Sequence, residues 1–452
     1  MSIINSIALL SLRVLRILPL FFAFSAMSQD VCDSVVPQLS WADSLRQRLT
    51  PFAAESEKAH FFSGILVYDL TDDSVLYDYN SQKLMRPASN QKVLTAVTAL
   101  TSLGKNYCYR TSAYYSGNII GDTTFIPVLR DSVLAIYEDS AVVRNVLRGN
   151  IYVVGGFDPA FTTSDLKDFA LSIKSLGIDS IAGQIVGDVS MKDTLHLGNG
   201  WCWDDVPSAG IPYLTPLLFN HEAIVGGSDK KCTPYPERYF VQFLAMRLRE
   251  QCIGMPFAPT RISTIPTNVA SCVKICEKTR TVEQILQQMM KDSDNLYAES
   301  MFYLTASRRK SSGISWKDGA KEVEDMVRRA GASTDYLVVA DGSGVSLYNY
   351  VTPRVEVAAL RYAYRNPEAY KALYSAMPIA GVDGTLQKRM VKGPARGNVH
   401  AKTGTVSGVS TLTGYVRASN GHLLAFSIMN NGLVKAAVGR DFQDRVCQEL
   451  AR

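Results

Sequence analysis

The chain has 452 residues, of which 47% are hydrophobic and 20% are charged. This composition excludes a disordered protein, and the length exceeds that of one ordinary domain. The formal net charge of +5 is too small to indicate a protein that binds nucleic acid.

Residues 1–28 have the pattern of a secretory signal peptide. Arg13 and Arg16 precede an apolar run over residues 17–27, and small residues follow near Ser28. A cationic lead, a short apolar run and small residues before a cleavage point are typical of export signals. Because the run is too short to span a bilayer, we expect cleavage after Ser28 and no transmembrane span in the mature form.

A serine and a lysine one helical turn apart follow the first predicted strand pair. Residues 64–70 and 74–79 are predicted to be strands on either side of a turn. The apolar spacing of residues 92–103 then predicts a buried helix. Ser89 and Lys92 lie at its start on one face, where exposed amides favour developing negative charge.

The pattern Ser-x-x-Lys is a weak signal alone, because it occurs six times in the chain. A solvated surface pair is the ordinary interpretation of such a match. Ser102 lies at the far end of the same predicted helix, and Ser307 falls in a basic run, so neither setting suits a nucleophile. The strand pair and the helix around Ser89 therefore predict that Ser89 is the functional copy.

The next motif, Ser293-Asp294-Asn295, lies far beyond Ser89 in the chain. A large insert is therefore predicted between the two, over residues 104–273. This insert contains short β-like runs that Gly and Pro interrupt, at residues 119–120, 124–128, 150–154 and 181–186. We therefore expect this inserted region to be mainly β and to form one or two small domains. Residues 29–103 and 274–452, on either side of it, should form one discontinuous catalytic domain. That enclosing domain should be α/β (α+β), with an antiparallel sheet from both chain ends and a C-terminal helix over residues 436–450.

The cysteines favour disulfide bonds in an exported protein, because their number is even. All eight follow the predicted signal peptide: Cys32, Cys108, Cys202, Cys232, Cys252, Cys272, Cys276 and Cys447. Cys32 and Cys447 could join the chain ends, and the connectivity stays open. A zinc site at Cys272 and Cys276 is the competing interpretation, but no histidine lies close to them in sequence.

Ser293-Asp294-Asn295 interrupts a second stretch of helical apolar spacing, from Thr281 to Arg308. A polar triplet in the middle of a helix lowers its helical propensity, which predicts a break at a cleft. The alternative is an ordinary helix cap or kink.

Lys402-Thr403-Gly404-Thr405 leads into a third predicted element, a strand pair over residues 411–417 and 423–429. Asn420-Gly421 between them predicts a two-residue type I′ turn. Lys402 alone could be a solvated edge residue, but its place after the other two motifs favours a functional site.

Together the motifs supply the groups that acyl transfer to a serine requires. A serine hydroxyl is a poor nucleophile until a neighbour takes its proton, and Lys92 can do so only when neutral. Burial or the nearby cation Lys402 would favour that neutral state. Ser293 would pass a proton to the leaving amine, and Asn295 would hold Lys92 and the substrate amide.

The last motif would bind the substrate. Lys402 would attract a terminal carboxylate, and Thr403, Gly404 and Thr405 would line the site. The backbone amides of Ser89 and Thr405 would form the oxyanion hole, where one donor contributes about 3–4 kcal/mol.

The ordered motifs resemble the serine D-Ala-D-Ala carboxypeptidase/endopeptidase family, the low-molecular-mass class C penicillin-binding proteins. The resemblance runs from about residue 60 to the C-terminus. It includes Gly156-Phe-Asp-Pro159, Gly183-Gln-Ile-Val-Gly-Asp188, Trp203-Asp-Asp205, Asp341-Gly-Ser-Gly344 and Ala380-Gly-Val-Asp-Gly-Thr-Leu386.

This resemblance implies a penicillin-recognising serine transpeptidase/β-lactamase-like fold. It implies a periplasmic enzyme that cleaves D-Ala from peptidoglycan stem peptides, or the D-Ala-diaminopimelate cross-link, through an acyl-enzyme on Ser89. It also implies inhibition by β-lactams, and it implies no metal or organic cofactor.

One position departs from the family pattern. The family commonly has an arginine for diaminopimelate after the Asp-Gly-Ser-Gly loop, where this chain has Leu347. A neighbour such as Arg354 could supply the charge, or side-chain recognition differs. Asp158 is a further candidate, for binding a substrate ammonium, although aspartates before proline are usually turn formers.

Two other functions compete with a D,D-peptidase. A class A serine β-lactamase uses a Glu-x-x-Asn after Ser-Asp-Asn, and residues 313–334 contain none. A catalytically silent peptidoglycan-binding protein has no chemical reason to keep Ser89, Lys92, Ser293, Asn295 and Lys402 together.

Overall fold

The part of the chain that the computed structural model describes contains both helices and strands. The described residues are 39–130, 132–205, 208, 210–222, 232–265 and 271–452, so the predicted signal peptide and Cys32 lie outside them. The helices are α1 Trp41–Lys58, α2 Gln91–Ser102, α3 Thr163–Lys174, α4 Pro236–Glu250, α5 Val282–Lys291, α6 Asn295–Thr305, α7 Trp316–Arg329, α8 Pro353–Tyr364, α9 Pro367–Ala376 and α10 Ala436–Leu450. The strands are β1 Phe62–Asp69, β2 Ser74–Tyr79, β3 Cys108–Ser116, β4 Asn118–Phe125, β5 Val128–Arg130, β6 Val133–Ala135, β7 Ala141–Arg148, β8 Ile151–Val154, β9 Ser180–Ile181, β10 Ile185–Asp188, β11 Thr260–Ile262, β12 Cys272–Thr281, β13 His400–Val406, β14 Val409–Arg417 and β15 Leu423–Asn431.

A five-stranded sheet in the order β13-β14-β15-β1-β2 carries the site, and every neighbouring pair in it is antiparallel. Alternate side chains of a strand point to opposite faces. Ile65 and Val67 of β1 therefore join one core with α1 and α10, while Leu66 and Tyr68 join another with the helices around α2. The sheet is thus covered by helices on both faces, and it is built from both chain ends as the sequence predicts.

The local predictions around the three motifs are confirmed, except for one turn. The first predicted strand pair is β1 and β2, the predicted helix is α2, and the predicted break separates α5 from α6. The type I′ turn is wrong, because Gly421 has a positive φ and Asn420 does not. The Gly421 amide donates to the Ala418 carbonyl, and Ala418 pairs with His422, which gives a three-residue loop.

A second five-stranded sheet, in the order β11-β10-β8-β3-β12, lies in the part of the chain between α2 and α5. Phe161, Phe169 and Phe240 belong to its core, with side chains of α3 and α4. These two helices interrupt a region that was predicted to be mainly β. A smaller sheet, β4-β7-β9, and the β5-β6 pair complete this region. Its division from the catalytic domain at residues 104–273 stays a prediction.

The expected disulfide bonds are not found among the seven cysteines that the structure describes. Cys447 is buried in the core beneath α10. Within the described ranges, no helix combines the length and the apolar character that a bilayer span requires.

Candidate active site

Ser89 and Lys92 are in contact at the start of α2. Ser89 is half-buried in a short 3₁₀ turn, Ala88–Asn90, and Lys92 is fully buried in the first turn of the helix. The Lys92 Nζ lies 3.0 Å from the Ser89 Oγ and donates a hydrogen bond to it. Ala88 has a φ of +47°, a conformation that non-glycine residues adopt at a cost of about 1–3 kcal/mol and that recurs at functional sites.

Two further acceptors hold the Lys92 amine in place. The Nζ donates to the Asn295 Oδ1 at 2.7 Å and to the Ser343 carbonyl at 2.8 Å. Burial lowers the pKa of Lys92 to about 8, because desolvation penalises the charged amine. The negative charges of Asp341, Glu299 and Asp294 oppose this shift. A substantial fraction of Lys92 is therefore neutral near pH 8 and able to accept a proton.

Glu299 and Asp341 shape the loop that presents the Ser343 carbonyl. The Glu299 carboxylate accepts from the backbone amides of Gly342 and Ser343, at 3.1 and 2.8 Å. Asp341 accepts from the amide of Gly344 at 2.8 Å. Burial raises the pKa of Glu299 to about 8, and the Asp341 charge adds to that rise.

Sequence reasoning did not assign a role to either acid. Glu299 lies four residues after Asn295 on α6, and residues at that spacing share a helix face. This spacing is a signal that could have identified Glu299. No comparable periodicity points to Asp341, because it lies in a loop.

Ser293 lies in the break between α5 and α6. Its φ of +62° lies in the left-handed region, so the backbone is strained here as it is at Ala88. Asp294 is the N-cap of α6, and its side chain accepts from the Tyr297 amide. The Ser293 Oγ accepts a hydrogen bond of 2.8 Å from the Lys402 Nζ.

Lys402 lies on the edge strand β13 and is fully buried. Its Nζ donates to the Ser293 Oγ and to the Thr403 carbonyl, each at 2.8 Å. Burial lowers the pKa of Lys402 well below its ordinary value, and the Lys92 charge lowers it further. The two amines are thus close enough to act on each other electrostatically.

Gly404 allows β13 to lie directly against the turn that carries Ser89. A Cβ at this position would meet the Thr411 hydroxyl and the Pro87 carbonyl, and it would lie 3.0 Å from the Ser89 amide nitrogen. A larger residue would push the strand away from the serine. The missing side chain therefore brings the β13 backbone next to the Ser89 amide, as the predicted oxyanion hole requires.

Two cavities meet at Ser89 and Thr405. The first, which we call the Asn295 cavity, has a volume of about 350 Å³ and is also lined by Asp204, Asp205 and Leu347. The second, the Ser293 cavity, has a volume of about 280 Å³ and is also lined by Thr385, Thr403, Arg389 and Arg440. Of the predicted site residues, the structure therefore brings together Ser89, Lys92, Ser293, Asn295, Lys402, Thr403, Gly404 and Thr405.

Asp158 is placed elsewhere. It lines neither cavity, it is 2% exposed, and one of its carboxylate oxygens lies 3.9 Å from the Arg280 guanidinium. Its other oxygen accepts from the Ala160 amide, which is the contact of a turn-forming aspartate. Burial raises the pKa of Asp158 to about 6.

Arg354 does not supply the positive charge that the family's arginine has at the position of Leu347. The Arg354 guanidinium pairs with Asp78 at 2.6 Å and donates to the Ser81 hydroxyl. It lines a third cavity, which contains neither Ser89 nor Leu347. Among the described residues that line the Asn295 cavity there is no basic side chain.

Comparison with known proteins identifies relatives over most of the chain. The model of the D-Ala-D-Ala carboxypeptidase 3 (S13) family matches residues 45–126, 134–225 and 232–452. A D-alanyl-D-alanine carboxypeptidase DacB of Haemophilus influenzae is 25% identical over 433 residues, covering 82% of this chain and 85% of the relative. A D-alanyl-D-alanine carboxypeptidase of Actinomadura sp. is 27% identical over 443 residues, covering 82% of this chain and 78% of the relative.

A solved structure shares the fold. Penicillin binding protein 4 (dacB) from Haemophilus influenzae superimposes with a TM-score of 0.73 at 22% identity, covering 91% of this chain and 98% of that chain. The same protein has been solved in complex with a β-lactam. These findings confirm the penicillin-recognising fold and the family that the three motifs resemble. The chain belongs to the D-Ala-D-Ala carboxypeptidase 3 (S13) family and is a serine-type D,D-peptidase that acts on peptidoglycan.

Proposed function

We propose that Ser89 is the residue that is acylated and that Lys92 is its general base. The observation that carries this assignment is the 3.0 Å contact between the Ser89 Oγ and a fully buried amine whose pKa is lowered to about 8. Neutral Lys92 takes the hydroxyl proton while the Ser89 Oγ bonds to the D-alanyl carbonyl carbon. The negative charge on the carbonyl oxygen then faces the backbone amides of Ser89 and Thr405.

Ser293 and Lys402 act on the leaving group. As the carbon–nitrogen bond breaks, the proton held by Lys92 passes to the departing amine, and Ser293 relays it. The hydrogen bond from Lys402 orients the Ser293 hydroxyl for this transfer. A water then cleaves the acyl-enzyme ester, which releases the new carboxylate and restores the Ser89 hydroxyl.

The two cavities then receive opposite sides of the scissile bond. Asn295 holds the substrate amide on the acyl side, so the stem peptide that becomes attached to Ser89 occupies the Asn295 cavity. Ser293 serves the leaving amine, so the departing residue occupies the Ser293 cavity. Thr403 and Thr405 line that cavity and bind the carboxylate, and the buried Lys402 amine adds its charge when it is protonated.

A matched pair of serine variants tests the nucleophile. Ser89→Ala should abolish both D-Ala release from a pentapeptide and covalent labelling by penicillin, detected as a mass increase of the intact protein. Ser102→Ala is the control, because Ser102 begins another Ser-x-x-Lys and donates to a backbone carbonyl on α2. Labelling that survives in Ser89→Ala would remove Ser89 from the mechanism. A wild-type adduct that is hydrolysed within seconds would instead favour a β-lactamase.

We further propose that the enzyme acts in the periplasm after export. Arg13, Arg16 and the apolar run that follows them support a signal peptide, as does the action of the family on the cell wall. The mature protein should begin at Gln29, which N-terminal sequencing of the exported form measures. A secreted protein that retains Met1 would contradict this proposal.

A further inference from the structure

The Ser293 cavity contains two cations that the hydrolysis of a single D-alanine does not require. Lys402, Thr403 and Thr405 are sufficient to bind the one carboxylate of a departing D-alanine. Arg389 and Arg440 lie on the same cavity and are contributed by other parts of the chain, the segment before β13 and the helix α10.

The two arginines differ in how they are held. The Arg389 guanidinium donates to the Asp444 carboxylate at 2.7 and 2.9 Å and to the Gln443 side chain at 3.0 Å. It is therefore fixed, and its charge is largely offset by Asp444. Arg440 is exposed, and its side chain has no hydrogen-bond or ion-pair partner among the described residues. Its carbonyl accepts from Arg389, which ties the two residues together.

The Arg440 guanidinium, on the leaving-group side of Ser89, could bind an anionic group of the part of the substrate that departs. When the bond is a cross-link, the departing amine belongs to a second stem peptide. That acceptor peptide carries one carboxylate beside the amine, as D-alanine does, and further carboxylates along its length. An arginine can bind a carboxylate through two parallel hydrogen bonds, a geometry that a lysine cannot match.

We propose that Arg440 forms a subsite for a second carboxylate of the leaving group. This inference rests on the proposed function and extends it to the substrate class. The enzyme then favours cross-linked stem peptides with an anionic acceptor over uncross-linked pentapeptides.

A charge reversal at Arg440 tests the subsite with two substrates. We compare kcat/KM for D-Ala release from a pentapeptide with kcat/KM for cleavage of a cross-linked dimer of stem peptides. Arg440→Glu should lower cleavage of the dimer about tenfold or more and D-Ala release less than about threefold, because close charge pairs at binding sites are strongly coupled. Arg144→Glu is the matched control, since Arg144 is an exposed arginine of β7 outside both cavities.

A chemical change in the substrate provides the second readout. Amidation of the acceptor carboxylates should remove most of the difference between wild type and Arg440→Glu. Equal losses on both substrates, no loss on either, or a wild type that cleaves pentapeptides but no cross-link would each overturn the subsite. A wild type that cleaves neither substrate would overturn the proposed function instead, so the two failures are distinguishable.

Discussion

The two cavities on either side of Ser89 differ in charge although Ser89 and Thr405 line both of them. The Asn295 cavity is lined by the carboxylates of Asp204 and Asp205. The Ser293 cavity is lined by the guanidinium groups of Arg389 and Arg440. Under the proposed function, the two walls therefore present opposite charges to the two sides of the scissile bond.

The outer walls resemble each other in how their charges are held. Asp205 accepts from the Cys202 amide, while Asp204 is exposed on the same loop. Arg389 is fixed by three hydrogen bonds to side chains of α10, while Arg440 is exposed. Each cavity thus combines one held charge with one charge that is free to adapt to a ligand.

Removal of the proposed base, Lys92, should have the largest effect and should affect both kinds of substrate equally. Lys92→Met should lower kcat/KM by about 10²–10⁴-fold on pentapeptides and on cross-linked dimers alike, because general base catalysis contributes that much. Lys105→Met is the control, since Lys105 completes another Ser-x-x-Lys and pairs with Glu368 at the surface. A loss of activity on one substrate alone would show that Lys92 contributes to the binding of that substrate and is not a base common to both.

The central groups could be predicted from the sequence because short motifs fix them. Ser89 and Lys92 are one helical turn apart, so the α2 backbone alone brings them together. Gly404 is explained by the close approach of β13 to Ser89. In a short motif of this kind, the local backbone conformation determines how close the side chains lie to each other.

The outer walls could not be predicted, because their residues meet only through the tertiary fold. Arg440 on α10 and Arg389 before β13 share no motif with Ser293. Asp204 and Asp205 lie in a family-like motif, but the sequence alone assigns them to no cavity. The helices α3 and α4 were missed for a related reason, since frequent Gly and Pro around them dominate the local pattern. Asp158 is a different case, because this polar residue of a family-like motif is buried and lines neither cavity.

A cation added to the Asn295 cavity should reduce the difference in charge between the two cavities, and it tests whether that charge determines substrate preference. Leu347→Arg places a guanidinium beside Asp204 and Asp205. We expect kcat/KM to rise several-fold for stem peptides with diaminopimelate at the third position, relative to peptides with lysine there. The reason is that diaminopimelate offers a carboxylate as well as an ammonium, and opposite charges across a binding site favour the matched ligand.

Substitution of a remote leucine controls for the added charge. Leu134→Arg changes an exposed leucine of β6 that lines neither cavity. Its ratio of the two kcat/KM values should equal that of wild type. A Leu347→Arg enzyme with the wild-type ratio would show that the Asn295 cavity does not contact the third residue.

The pH profile should report the base at the centre. If the neutral amine is the base, as we propose, the rate of acylation by penicillin should rise with pH through about 8, the pKa to which burial lowers Lys92. The Glu299 charge raises that pKa, so Glu299→Gln should shift the rising limb to lower pH. The shift should be small, since Glu299 is itself partly protonated when its own pKa is about 8.

A glutamate outside the site separates this effect from a general change in charge. Glu250→Gln alters an exposed residue at the end of α4, and its pH profile should match that of wild type. A limb that moves to higher pH in Glu299→Gln would contradict the electrostatic coupling between Glu299 and Lys92.

Asp158 provides a test of whether a carboxylate outside both cavities affects activity. Burial raises its pKa to about 6, above the ordinary aspartate value of about 3.9. A carboxyl group whose pKa is higher in the folded state stabilises the fold at low pH, and this contribution is lost as the pH rises through about 6. Asp158→Asn stays neutral, so its free energy of unfolding relative to wild type should increase between pH 4 and pH 7, by on the order of 2 kcal/mol. The rate of D-Ala release by Asp158→Asn should equal that of wild type. A lower rate at unchanged stability would indicate that Asp158 contributes to substrate binding.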